Sequence, residues 1–164
     1  MSNRVINLDQ LEFLEFGNGE KFGSERAHVG SRIGAKKLGY AVVNLAPGKR
    51  AWPYHSHQVA EEMFYVISGN GVLRHADEEY PIRAGDFICS PADPQQPHQI
   101  INTSDALLSY LALGTEEPAD VFHYPDSGKY GVWSGNRDDF SDPNNFLVFA
   151  RKDTAVDYWD GESD

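Results

Sequence analysis

Gly48-Lys-Arg-Ala-Trp-Pro-Tyr-His55-Ser-His57-Gln-Val-Ala-Glu61-Glu62-Met-Phe-Tyr-Val-Ile-Ser-Gly69 is the stretch whose reading decides the fold. Its second half, Glu62–Ser68, is rich in β-branched and aromatic residues and ends on Gly69, which reads as a strand and its turn. In an extended chain successive side chains alternate faces, so His55 and His57 point the same way, one pleat apart. Two imidazoles at that spacing can reach one ion. Imidazole nitrogen suits Zn, Fe, Ni and Cu, and a carboxylate oxygen beside it broadens the choice to Mn. Glu62 has the opposite parity to His57. It joins the histidines only if the chain turns or bulges around Gln58–Glu61, so that a new strand begins at Glu62. Phe64 and Val66 then share its face and line the interior. Glu61 is the competing carboxylate, and such a strand leaves it on the outer side or in the turn. An isolated His-x-His is a weak signal, since on a surface loop it is usually two solvated histidines.

Outward from this stretch, the further expected strands are Gly39–Ala46, Gly71–Ala76, Asp86–Ser90, His98–Asn102, Ala106–Leu113 and Phe146–Ala150. Turn signals lie between them, among them Pro47-Gly48, Gly69-Asn70-Gly71 and Arg83-Ala84-Gly85-Asp86. Closely spaced strands so punctuated predict an all-β sandwich or barrel. Leu8–Phe16 fits a short helix or a strand equally. Two strands are apolar on both faces. In Glu62–Ser68, Phe64 and Val66 oppose Met63, Tyr65 and Ile67; in Ala106–Leu113, Leu107 and Leu111 oppose Leu108 and Tyr110. The outer face therefore needs a cover, from a terminal segment or a second subunit, and a homodimer is expected because two-fold dimers are the commonest oligomers.

The chain has 164 residues, a length that suits one domain with one core. Hydrophobic residues make up 40% and charged residues 24%, ordinary for a globular protein. No apolar run is long enough to span a membrane, and the N-terminal stretch has no signal-like apolar region, so a cytoplasmic location is expected. The formal net charge of −11 disfavours nucleic acid and anionic lipid as partners. Cys89 is the only cysteine, which excludes an intrachain disulfide and a cysteine-based zinc cage. Within Phe87-Ile88-Cys89 it reads as a buried small hydrophobe. His28, His75 and His123 have no partner at ligand spacing and read as surface or structural residues. Asn102-Thr103-Ser104 matches a glycosylation acceptor by chance.

His98 opens a strand after the proline-rich loop Pro91–Pro97. With it the sequence resembles a family. Gly48-x₆-His55-x-His57-x₄-Glu62-x₆-Gly69 is similar to the first cupin motif, and Gly85-Asp-x₄-Pro91…His98-x₃-Asn102 to the second. The resemblance covers residues 39 to 113. It implies an all-β double-stranded β-helix, or jelly-roll barrel, that binds one divalent metal ion (Zn, Mn, Fe or Ni) on His55, His57, Glu62 and His98. Two departures stand out. Six residues rather than five precede the first histidine, and Asp93 replaces a glycine in a loop that is two residues longer before His98. The later stretch Val121–Val132 also resembles a subgroup of small bacterial cupins described as sugar-phosphate-isomerase-like.

Three histidines and one glutamate leave open positions on an ion, which is what separates a catalytic from a closed site. The implied function is a metal-dependent enzyme on a small oxygenated metabolite, such as a sugar or sugar phosphate isomerase. A metal-dependent dioxygenase and a non-catalytic binding or sensing module are the alternatives. Tyr54, Gln99 and Glu61 lie near the ligands in sequence, but none is assigned as a general base.

Overall fold

In the computed structural model the residues described are 4–136 and 142–162. They form thirteen strands and four single-turn 3₁₀ helices, an all-β architecture as expected. A six-stranded antiparallel sheet runs in the order β1 (Leu14–Asn18), β2 (Phe22–His28), β3 (Leu38–Leu45), β10 (Leu108–Thr115), β5 (Glu62–Ser68), β8 (Phe87–Ser90). A three-stranded sheet is ordered β7 (Glu78–Arg83), β6 (Asn70–His75), β9 (His98–Ile101), and a four-stranded one β13 (Phe146–Arg151), β12 (Lys129–Ser134), β11 (Ala119–Tyr124), β4 (Ser56–His57).

The core follows from the two-residue period of the strands. Val43 and Leu45, Phe64 and Val66, Leu108 and Tyr110 are buried from three neighbouring strands, and Leu73, Ile82 and Ile100 meet them from the three-stranded sheet. Leu108 pairs with Leu45, and Tyr110 with both Val43 and Val66, so these side chains stack in rows across the sheet. On the opposite face Met63 lies between Leu113 and Cys89, and Tyr65 between Leu111 and Phe87. Those side chains are half-buried or exposed.

This register corrects the reading of Cys89. It is exposed, because Ile88 and Ser90 take the inward positions of β8 and leave Phe87 and Cys89 outside. Leu8–Phe16 resolves into both alternatives. Leu8–Gln10 is a 3₁₀ turn capped by Asn7, and Leu14 begins β1.

Two turns bind the barrel edge. Gly69 has φ +82°, and a Cβ there would stand 2.3 Å from the Leu107 carbonyl oxygen, so only glycine fits. Asp86 leaves the expected strand because its side chain closes the next turn, accepting the Arg83 N–H at 2.8 Å. Asn102 is fully buried. Its amide donates to the Leu45 and Ala106 carbonyls at 2.7 and 2.8 Å, and its oxygen accepts from Ser104 N–H. That pins the β9–β10 connection and leaves no free amide for a glycan.

Candidate metal centre

His55 and His98 are brought together by backbone. The N–H of each donates to the carbonyl of the other, at 3.2 and 2.7 Å. The longer loop before His98 is compact. Asp93, in the place of a glycine, accepts from Gln95 N–H at 2.8 Å, and Ser56 Oγ donates to the Pro94 carbonyl. His57 lies on β4, which pairs with β11 and sets its ring edge-on to Phe122.

The turn that resets the phase before Glu62 is held by one residue, Asp120, at the start of β11. Its Oδ1 accepts the N–H groups of Gln58 and Val59 at 3.2 and 3.0 Å, and Val121 N–H at 2.7 Å. Its Oδ2 accepts from His57 Nδ1 at 2.6 Å. Asp120 is 1% exposed, so it is a buried carboxylate satisfied on all sides. Glu61 then sits in the turn, exposed, and β5 begins with Glu62 turned inward alongside Phe64, as the parity argument required.

The ligand atoms of His55, Glu62 and His98 lie within 4.8 Å of one another. His57 stands beside this group: its Nε2 is 3.2 Å from Glu62 Oε2, while its ring centre is 6.3 Å from that of His98. His98 Nε2 is 2.9 Å from the same oxygen. The outer nitrogen of each ring has a partner. His55 Nδ1 meets the Pro53 carbonyl at 2.8 Å, His57 Nδ1 meets Asp120, and His98 Nδ1 meets Ser90 Oγ at 2.5 Å. Those contacts turn the Nε2 atoms of His57 and His98 toward the Glu62 carboxylate. His57 Nε2 and Glu62 Oε2 are buried, and neither has a hydrogen-bond partner outside this group. His55, Glu62 and His98 bring two imidazoles and a carboxylate to one buried point, so the residues present fit a metal ion, and without one a proton on His57 faces the Glu62 carboxylate.

The electrostatics agree. Burial, followed by the positive potential of His98, pushes His55 down to about 3, so it is a neutral ligand. Burial also pulls His57 down, but the hydrogen bond to Asp120 and the nearby Glu62 carboxylate outweigh it and raise it to about 9. Burial alone would raise Glu62; the imidazoles of His57 and His98 reverse this and hold its carboxyl well below the usual range.

The centre forms one wall of a cavity of about 240 Å³ that Trp52, Phe64, Tyr110, Phe122 and Tyr124 also line. Trp52 is held there by the Arg26 guanidinium, 4.2 Å from its ring and donating to the Ala51 carbonyl at 2.7 Å. A larger cleft of about 620 Å³ shares Trp52, His57 and Glu62 with it. Tyr54 does not face the centre; it is buried and its hydroxyl donates to the Ala76 carbonyl. Gln99 is buried with its amide on the Trp52 carbonyl at 2.7 Å. His75 pairs with His98 across the strands, His123 stacks on Tyr130, and His28 is exposed, all outside the ligand group.

Comparison with known proteins fits this geometry. Residues 41–114 match the cupin domain family. An oxalate-binding protein of Thermotoga maritima is 31% identical over 110 residues, spanning 66% of this chain and 86% of that protein. The chain is a cupin. A crystal structure from Silicibacter pomeroyi, described as a sugar phosphate isomerase from a cupin superfamily, superposes on this cupin with a TM-score of 0.77. It is 26% identical, and the match covers 95% of this chain and 98% of that one. A Thermotoga maritima structure described as a predicted oxalate decarboxylase is 27% identical with a TM-score of 0.60, covering 69% of this chain and 99% of that one. Asp120 and Ser90, the residues behind the ligands, escaped the sequence reading. The available signal was a carboxylate, Asp120, immediately before the largely apolar and aromatic stretch Val121–Tyr124.

Proposed function

We propose that this cupin is a metal-dependent enzyme acting on a small oxygenated metabolite, with isomerisation of a sugar or sugar phosphate as its reaction. The observation that carries this is the convergence of His55, Glu62 and His98 on the wall of an aromatic cavity that has room beside them. His57 completes the ligand set through Glu62. A divalent ion (Zn, Mn, Fe or Ni) held there supplies Lewis acidity to the carbonyl and hydroxyl oxygens of a substrate. Trp52, Phe64 and Phe122 exclude water from that space. Burial raises the phenols of Tyr110 and Tyr124 above their ordinary value, so at neutral pH they stay protonated and serve as hydrogen-bond donors. The likeness to the Silicibacter pomeroyi structure supports the isomerase reading. None of the residues lining the smaller cavity is Arg or Lys, which favours an unphosphorylated substrate or a phosphate lying outside it.

A binding role without turnover is the second reading. The cavity wall offers donors but no evident base, and the Thermotoga maritima relative is named for binding oxalate. This proposal takes the chain as one cytoplasmic domain, a homodimer acting on a small molecule and not on nucleic acid. Metal analysis of protein purified without a chelating resin comes first, and abundant iron would move the assignment to a dioxygenase. Metal-loaded protein is then followed by NMR with a panel of aldose–ketose pairs. Interconversion that His98→Ala abolishes is expected. Saturable oxalate binding with no interconversion of any pair would replace the isomerase reading by the binding one.

A further inference from the structure

The strand β13 is the outer edge of its sheet, and no described residue pairs with its free side. All six of its residues are exposed. Phe146 and Val148 point one way, Leu147 and Phe149 the other, so the strand is apolar on both faces and neither is covered. A strand in a stable sheet needs at least one buried face. The segment that follows carries Tyr158 and Trp159, 83% and 69% exposed. Taking ~200 Å² for an aromatic side chain and somewhat less for Val and Leu, the apolar residues from 146 to 159 expose on the order of 800 Å². The largest apolar patch on a typical monomer is about 300–600 Å². A standard protein interface takes about 800 Å² from each partner.

We infer that this C-terminal arm, residues 146–160, docks on the same arm of a second copy of the chain. This rests on the homodimer reading and names its surface. The area matches what one half of a stable dimer needs. A two-fold axis beside β13 pairs its free edge antiparallel with its own copy, satisfying the unpaired N–H and C=O groups on both. Antiparallel pairing also sets the basic end of one strand, Arg151 and Lys152, beside the end of the other that follows Asp142.

The arm lies close to the metal centre. Phe149 shares a face with Phe122, with Gly131 between them; a Cβ at Gly131 would stand 2.8 Å from the Phe149 ring and 2.9 Å from the Phe122 ring. Phe149 also lies 6.0 Å from Tyr124. Phe122 and Tyr124 line the cavity, so a second copy docked on β13 lies against apolar residues continuous with its wall.

The test is sedimentation equilibrium of the full chain at 1–50 µM, with three variants. Phe146→Glu changes the strand, Tyr158→Ser with Trp159→Ser changes the exposed tail without touching the barrel, and Tyr65→Glu changes the outer face of β5. A wild-type dimer is expected, with dissociation at least tenfold easier in the first two variants and unchanged in the third. Circular dichroism shows whether each variant is folded. A dimer lost only in Tyr65→Glu would refute the arm while keeping the homodimer. A wild-type monomer would refute both. A wild-type monomer that sediments with phosphatidylcholine vesicles would assign the arm to a membrane and overturn the pairing.

Discussion

Asp120 links two jobs that the sequence separates. It orients His57 and it holds the turn 58–60 that lets Glu62 face inward. Partners of this kind behind a ligand typically affect metal affinity by 10–100-fold. Asp120→Asn keeps the turn's acceptor oxygen and removes the charge behind His57. It is expected to weaken metal binding by about tenfold, read by competition with a chromogenic chelator. Asp120→Ala removes both and is expected to weaken it further and to lower thermal stability. His57→Ala should weaken metal binding while circular dichroism still reports the folded barrel. The proton on His57 gives a pH signature. In metal-free protein its folded pKa, about 9, lies above the unfolded value near 6.5. The stability it contributes is therefore fully present below about pH 6.5 and is lost as pH rises through about 9. The ion must displace that proton, so metal affinity rises with pH over the same range. Denaturant melts of metal-free protein at pH 6 and pH 9.5, with metal titrations between them, check both signs.

Among the elements, the legible ones were those whose burial follows a simple period. Glu62–Ser68 is β5 to the residue, and β3, β6, β8 and β9 differ from expectation by one residue at an end or two. Both faces of β5 are apolar and it lies inside the six-stranded sheet, between β10 and β8, so composition and position agree. The strands not foreseen were β2, β7, β11 and β12; β4 was read only as extended chain, and β1 begins inside the stretch read as helix or strand. Of these β7, Glu78-Glu-Tyr-Pro-Ile-Arg83, is an edge strand, where a proline costs no ladder bond and charges meet water. Strand β2 carries Ser24, Glu25, Arg26 and His28, and its register comes from β3 rather than from an apolar pattern of its own. For the site, the parity argument placed Glu62 and excluded Glu61, but no local pattern announces that an aspartate far along the chain holds the turn. At Asn102 one side chain replaces a regular connection. Asn102→Leu leaves two carbonyls and the Ser104 N–H without that partner, and each buried orphan costs ~1–3 kcal/mol. A loss of about 3 kcal/mol is expected from urea melts, with the metal stoichiometry unchanged.

At the scale of the molecule, the barrel and its ion should be thermodynamically linked but separable. The core of Val43, Leu45, Val66, Leu108 and Tyr110 is packed without help from the ligands. Removing metal with a chelator is thus expected to lower the melting temperature without abolishing the transition. Metal at a hundred times its dissociation constant adds about 2.7 kcal/mol. A cooperative melt in EDTA checks this; an unfolded baseline would mean that the ion is structural. The backbone pair between His55 and His98 bears on how that ion arrives. Those two residues are locked by a mutual pair of main-chain hydrogen bonds, and each ring has a second anchor on Pro53 or Ser90. The rotational freedom that chelation would otherwise remove is already lost when the chain folds. Capture of the ion should therefore show little entropic penalty from the protein and an association rate governed by shedding of the ion's own water shell.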